Sequence, residues 1–236
     1  MRINDPDAYR TETDLDAIAR LLDLTGARVL ELGCGDARNT RALVERLGAA
    51  EVVATEVDRI QLDKNLALDD LPRVCFRYGG AEAIDEPDAS VDAVFMFKSL
   101  HHVPEALMDR SLVEIHRVLR SGGAACFVEP VYWGEFNALM SMIHDEEQVR
   151  AAAFAALERA VAAGRFRCEA EAFVQVPGHY PGWDAFAGRF LEVTHTELDI
   201  DEARREAIRA AFERHLTPDG ARFLKPHRID LLRKVQ

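Results

Sequence analysis

The run Arg28-Val29-Leu30-Glu31-Leu32-Gly33-Cys34-Gly35-Asp36-Ala37-Arg38 limits what this chain can fold into more than any other stretch. Val29 to Leu32 is a short apolar run between Gly26 and Gly33, the mark of a buried strand. Gly33 and Gly35 then let the backbone turn tightly and approach a ligand with no Cβ in the way. Thr40, Leu43, Val44 and Leu47 follow at helical spacing, with Gly48 as a stop signal. Strand, glycine turn and helix in that order build a site for a nucleoside-containing ligand at the carboxyl end of a parallel strand.

The turn discriminates between ligands. A dinucleotide site needs G-x-G-x-x-G, whose third glycine opens the helix that takes the pyrophosphate. Arg38 stands at that third position, which argues against a dinucleotide. What remains is acidic, apolar, Gly-x-Gly-Asp-Ala, and this resembles motif I of the class I S-adenosylmethionine-dependent methyltransferases. The resemblance implies that Gly33, Cys34 and Gly35 lie under the methionine part of S-adenosylmethionine, with Glu31 near its ammonium group. Ala37 departs from the glycine usual in that loop.

Further segments carry the resemblance along residues 27–130. Glu51 to Thr55 reads as a second strand, and Glu56 ends it about 20 residues after the glycine turn. A carboxylate there can accept charge-strengthened hydrogen bonds from ribose hydroxyls, and the family places Asp or Glu at that point for this purpose; Val57 adjoins it. Asp58 is the better candidate to cap the helix that follows. Val74 to Tyr78 reads as a third strand. Gly79-Gly80-Ala81-Glu82 resembles the family's Gly-Asp-Ala-Glu, with Gly80 where the adenine-contacting Asp stands. The backbone N–H of Ala81 remains as an adenine contact, and the side chain of Glu82 either substitutes for the missing Asp or faces solvent. Ser90 to Phe97 is nearly continuously apolar, as a central strand buried on both faces should be. Lys98-Ser99-Leu100-His101-His102-Val103-Pro104 resembles the family's Leu-His-His-Val segment, beside the transferred methyl group. A helical stripe from Leu107 to Leu119 ends at Ser121-Gly122-Gly123, before a fifth strand, Ala124 to Val128, closed by Glu129-Pro130.

Outside that core, residues 1–12 are polar, carry Tyr9, and form either a loose tail or a flap. Leu15, Ile18, Leu21 and Leu22 mark a helix from Thr13 toward Gly26. Gln148 to Ala163 reads as an alanine-rich helix ended by Gly164, and Ala170 to Val176 as a candidate sixth strand. Tyr180, Trp183, Phe186, Phe190 and Leu191 share a helical face that suits core more than pocket. Ala203 to Leu216 reads as another helix, stopped by Thr217-Pro218-Asp219-Gly220. Arg222 to Val235 is a closing β segment whose Arg228 to Leu232 is an antiparallel seventh strand.

The expected fold is therefore α/β: a Rossmann-like seven-stranded sheet, order 3-2-1-4-5-7-6, mostly parallel with its last strand antiparallel, flanked by helices. The expected division is an N-terminal segment and helix (1–26), a cofactor-binding core (27–133), a helical insertion or lid (134–220) and a closing segment (221–236).

The chain has 236 residues, 48% apolar, enough for one sizeable core. Its net charge of −12, with no basic cluster, disfavours nucleic acid as a partner. Cys34, Cys75, Cys126 and Cys168 form no C-x-x-C pair, so they read as buried free thiols and not as a zinc site. No signal-peptide core and no run of about 18 apolar residues is present, so the expectation is a cytoplasmic protein without a membrane partner, monomeric or homodimeric.

The reaction that the resemblance implies is direct displacement of a methyl group from sulfonium onto a small-molecule acceptor, leaving S-adenosylhomocysteine. If the acceptor must lose a proton, His102 and Glu129 are the first candidates for base, with His101, His144 and His179 behind them. The expected cofactor contacts are Glu31, Gly33, Cys34, Gly35, Glu56, Val57, Gly80, Ala81, Glu82 and Lys98. Tyr9, Lys98, His101, Tyr132 and His179 are candidates for the acceptor side. No metal-ligand spacing stands out. Three alternatives stay open: a non-catalytic cofactor binder, a protein methyltransferase and a nicotinamide-dependent oxidoreductase, the last opposed by Arg38.

Overall fold

A computed structural model describes residues 1–192 and 199–235. In chain order its elements are α1 (Asp14–Leu21), β1 (Arg28–Leu32), α2 (Arg38–Glu45), β2 (Glu51–Glu56), α3 (Arg59–Leu66), β3 (Val74–Tyr78), β4 (Val91–Phe97), α4 (Glu105–Val118), β5 (Leu119–Pro130) and α5 (Gly134–Ser141). They continue with α6 (Glu147–Ala162), β6 (Phe166–Tyr180), α7 (Trp183–Phe190), α8 (Glu202–Glu213), β7 (Leu216–Thr217) and β8 (Gly220–Lys234); a 3₁₀ turn covers Leu100–His102.

The sheet order is β3-β2-β1-β4-β5-β8-β6. The first five strands are parallel, and β8 runs antiparallel to both neighbours. This is the expected order, with β8 in the seventh place. It gains an eighth strand: Leu216 and Thr217, expected to end a helix and begin its stop, form the two-residue β7, and the turn from Thr217 to Gly220 pairs it with the start of β8. Gly220, at φ +92°, supplies the left-handed backbone that this turn needs.

Both faces of the sheet are covered, so its central strands show no polar alternation. Leu30, Leu32, Met96 and Phe127 point to the face packed by α4 and α6. Val29, Phe95, Cys126 and Val128 point to the other face, in one core with Ile18 of α1 and Leu43 of α2. Cys75 departs from the buried-thiol expectation: β3 is the edge strand, and its thiol is exposed.

Strand β6 is longer than Ala170 to Val176 because its pairing with β8 outlasts β5. Pro130 ends β5 opposite His227, which pairs with Val174. Gln175 to Tyr180 then pairs with Ala221 to Pro226 beyond the end of β5, a ribbon projecting roughly 20 Å past the carboxyl edge of the parallel strands. A third apolar core gathers on this ribbon: Tyr180 and Phe223 from its strands, Phe186 from α7 and Phe212 from α8, with Phe136 of α5 beside them. The aromatic stripe is thus core. Residues 1–12 lie along the sheet edge: the Arg10 amide donates to Phe173 O at 3.0 Å, the Gln175 amide donates to Arg10 O at 2.8 Å, and Tyr9 stacks on Trp133 with centroids 4.9 Å apart.

Candidate active site

The glycine loop leaves β1 and lies across the end of β2. The Gly33 and Cys34 amides both donate to the Thr55 carbonyl at 2.9 Å. Gly33 has φ +74°, and a Cβ there would stand 2.8 Å from the Cβ of Ser99, whose hydroxyl donates to the Leu32 carbonyl at 2.8 Å. Ala37, at φ 59°, opens α2 in the left-handed region, at a cost of about 1–2 kcal/mol for a residue with a Cβ.

Glu56 ties the loop to β2. Its carboxylate accepts from the Gly35 amide at 2.7 Å, the Val57 amide at 2.8 Å and the Asp58 amide at 3.0 Å. A carboxylate offers about four acceptor positions, so one stays open to a ribose hydroxyl, and a second hydroxyl must displace an amide. Asp58 caps α3 through the Ile60 and Gln61 amides, leaving Glu56 to the loop. Val57 is 57% exposed at the rim. Asn65, buried on α3, donates to the Gly35 carbonyl at 2.7 Å. Sequence reasoning missed it, although an Asn on the buried side of a helix is a signal in itself.

Beneath the loop, Glu31 is 0% exposed and neither of its oxygens has a hydrogen-bond partner. Burial pushes its carboxyl up to about 8; the nearby Thr40 hydroxyl pulls the other way without forming a hydrogen bond of normal geometry, and Asp36 and Glu56 add repulsion. At the third strand, Glu82 folds back over Gly80. A Cβ on Gly80 would meet the Glu82 carboxyl carbon at 2.8 Å, so this carboxylate fills the space of the side chain that Gly80 lacks. Ala81 is buried beside it.

At the end of β4, Lys98 adopts φ 55°; its amide donates to Val128 O at 2.7 Å and its side chain is exposed. Glu129, a candidate base, does not open onto the site. It is 3% exposed, accepts from the Leu100 amide at 3.0 Å and is hydrogen-bonded to His101 Nδ1. Its strand face, fixed by pairing with Arg228 of β8, turns it inward. Burial alone would push the His101 imidazole down, but the charges of Glu129 and Glu146 outweigh burial and leave it above its ordinary value. For Glu129, burial pushes up and His101 outweighs it, leaving the carboxyl below its ordinary value.

On the far side of His101, Nε2 lies 3.9 Å from Glu146, which is paired with Arg150. His102 is exposed, its ring centroid 4.1 Å from that of His101. Ligand atoms of His101, His102 and Glu146 lie within 4.8 Å of one another, a metal-capable grouping that the spacing did not reveal. Glu129 and Arg150 balance the charges of this group by themselves. His144 Nδ1 approaches Glu146 at 3.3 Å.

The other acceptor-side candidates are scattered. Tyr9 is held by Trp133 and by the Asn4 side chain, and Tyr132 stands exposed after β5. His179 is not brought to the group. It sits five residues past Val174 on the ribbon, roughly 16 Å beyond the sheet edge, hydrogen-bonded to the Asp219 carbonyl.

Residues 29–123 match the family model described as a methyltransferase domain. That stretch, about two-fifths of the chain, is a methyltransferase domain. The solved YcgJ protein of Bacillus subtilis superposes on the whole arrangement with a TM-score of 0.67 at 16% identity, covering 94% of this chain and 98% of that one, which shows a shared fold. In sequence, the domain is 41% identical over 108 residues to an uncharacterized methyltransferase of Mycobacterium tuberculosis strain H37Rv, covering 46% of this chain and 42% of that protein. It is 34% identical over 116 residues to the 27-O-demethylrifamycin SV methyltransferase of Amycolatopsis mediterranei, covering 46% and 40%. The matched part thus spans less than half the length of these curated relatives. Among the described residues, no helix is long and apolar enough to cross a membrane.

Proposed function

We propose that this protein is an S-adenosylmethionine-dependent methyltransferase acting on a small-molecule acceptor. One observation carries the reading: Glu56 is locked to the Gly35 amide at 2.7 Å, so that a ribose-binding carboxylate and a glycine cradle share one wall. The unpartnered Glu31 beneath it fits the same ligand, because the ammonium of a methionine group would supply the positive charge that both its oxygens lack. Gly33, Cys34 and Gly35 would carry the methionine end, Glu56 the ribose, and Val57, Ala81 and Glu82 the adenine, with Glu82 standing in for the family's Asp.

Bound there, S-adenosylmethionine supplies a methyl group on a positively charged sulfur. The chain has to align the acceptor and exclude water, and alignment of this kind is worth roughly 7–11 kcal/mol of barrier. Helices α5, α7 and α8 on the β6–β8 ribbon, with the Tyr9–Trp133 stack, close the acceptor side. For an acceptor whose reacting atom carries a proton, we assign His102 as the base, worth about 10²–10⁴-fold. His101 and Glu129 position it. The acidic surface and the rifamycin-modifying relative both favour a small acceptor over nucleic acid.

Calorimetry tests the reading. S-adenosylmethionine and S-adenosylhomocysteine should both bind, and Glu56→Ala should weaken both tenfold or more, since a charged hydrogen bond contributes about 1.5–3 kcal/mol. No heat with either ligand at millimolar concentration would overturn it. Formation of S-adenosylhomocysteine with a pool of metabolites then separates an enzyme from a silent binder.

A further inference from the structure

At the carboxyl end of β5 there is a small open cleft of about 40 Å³ that the cofactor reading does not use. Because β8 is antiparallel to β5, its segment Lys225-Pro226-His227 lies where β5 ends at Pro130. Val131, Phe136, Met140 and Pro226 give the cleft apolar walls, and Arg150 and Lys225 bring charge to it.

The polar groups of the cleft divide sharply. Arg150 is spent on Glu146 and on the Asn137 side chain at 2.7 Å, and His227 Nδ1 on Asp14 at 2.8 Å. Lys225 has no hydrogen bond or ion pair with any described residue; its ammonium lies 6.0 Å from the centre of the Phe136 ring. It is half-buried, and burial is the largest influence pushing its ammonium down. Arg189, Lys98 and Arg38 push the same way, and the charge of Asp14, already held by His227, pulls against them. Lys98 is likewise without an ion-pair partner among the described residues.

Carboxylates are not scarce in this chain: Asp and Glu number 41 against 29 Lys and Arg. One unpaired lysine, Lys225, on the wall of this cleft, with Lys98, Arg189 and Arg38 near enough to repel its charge, therefore leaves a place for a negative charge from outside, which would offset that repulsion. We propose that Lys225, assisted by Lys98, binds an anionic oxyacid group, carboxylate or phosphate, of a methyl acceptor whose apolar body lies against Phe136 and Met140. The assignment to the acceptor rests on the methyl-transfer reading above. The anion site itself does not.

Benzoate and phenyl phosphate, with benzamide as the neutral control, test the proposal on the full chain by calorimetry or by chemical-shift titration. At least one anion should bind ten or more times tighter than benzamide, and the tighter one names the oxyacid class. Lys225→Met should weaken that anion tenfold or more, Lys225→Arg should largely restore it, and the exposed Lys64→Met should leave it unchanged. Unaltered affinity of Lys225→Met for S-adenosylhomocysteine shows that the variant is folded. The anion should still bind with S-adenosylhomocysteine saturating. Equal binding of benzamide, or an unaffected Lys225→Met, would overturn the site. Displacement of the anion by S-adenosylhomocysteine would overturn the acceptor assignment and give the cations to the methionine carboxylate. Failure of S-adenosylhomocysteine to bind, with the anion still discriminated, would sink the methyl-transfer reading alone.

Discussion

Replacing Glu31 by Gln tests the buried carboxylate under the glycine loop most directly. The folded-state value of about 8 lies above the ordinary 4.5, so folding favours the neutral acid. A group shifted upward contributes stability that is complete below pH 4.5 and drains away as pH climbs to about 8. At 1.36 kcal/mol per unit the whole window amounts to about 5 kcal/mol, and about 3 kcal/mol of it is lost by pH 7. A glutamine at this position cannot ionise, so the stability of Glu31→Gln relative to wild type should rise steadily between pH 5 and pH 8, by about 3 kcal/mol. Urea denaturation of both proteins at unit pH steps reads this difference and cancels every other titrating group. The same variant should lose affinity for S-adenosylmethionine, because the charge facing the ammonium is gone. A flat difference across pH 5–8 would refute the claim that Glu31 lacks a partner. A rising difference with unchanged cofactor affinity would refute its role toward the ammonium.

Three further outcomes follow from the geometry. Gly33→Ala meets the Ser99 Cβ at 2.8 Å and must hold a left-handed φ. It should lose about 2–4 kcal/mol in urea denaturation, part of which Ser99→Gly restores. Glu129→Gln leaves His101 buried without its counter-charge. Its imidazole should then titrate lower by NMR, and removing one partner of a buried pair should cost about 3–5 kcal/mol. His101 is raised above 6.5, so its share is complete below that pH and is lost as pH rises through its folded value. Glu129 is lowered below 4.5, so its share is present above that pH and is lost on acidification. The stability difference should therefore peak between about pH 4.5 and 6.5. Asn65→Ala frees the Gly35 carbonyl and should lower cofactor affinity several-fold, since one hydrogen bond contributes about 1 kcal/mol; unchanged affinity would show that the loop holds its shape without α3.

What could be read from residue order alone was local. The Gly33–Gly35 turn, the carboxylate closing β2, and the apolar runs of β1 and β4 each announce themselves within a dozen residues, because backbone freedom and burial on both faces restrict composition at short range. The resemblance those runs carry was enough to order the sheet. It misjudged the lengths of β5 and β6 and gave no hint of β7, since strand ends are set by which neighbour remains to be paired.

The site's chemistry depended on tertiary structure. Glu129 and His101, His101 and Glu146, Asn65 and Gly35, and Lys98 and Lys225 come within reach of one another only through the β5–β8 register and the packing of α3 and α6. Only burial could distinguish Glu31, paired with nothing, from Glu56, held by three amides, although both are acidic residues at strand ends. A side chain's identity fixes which charge it can carry. Whether that charge is neutralised, solvated or left waiting depends on what the folded chain brings within a few ångströms of it, and no spacing along the sequence encodes that distance.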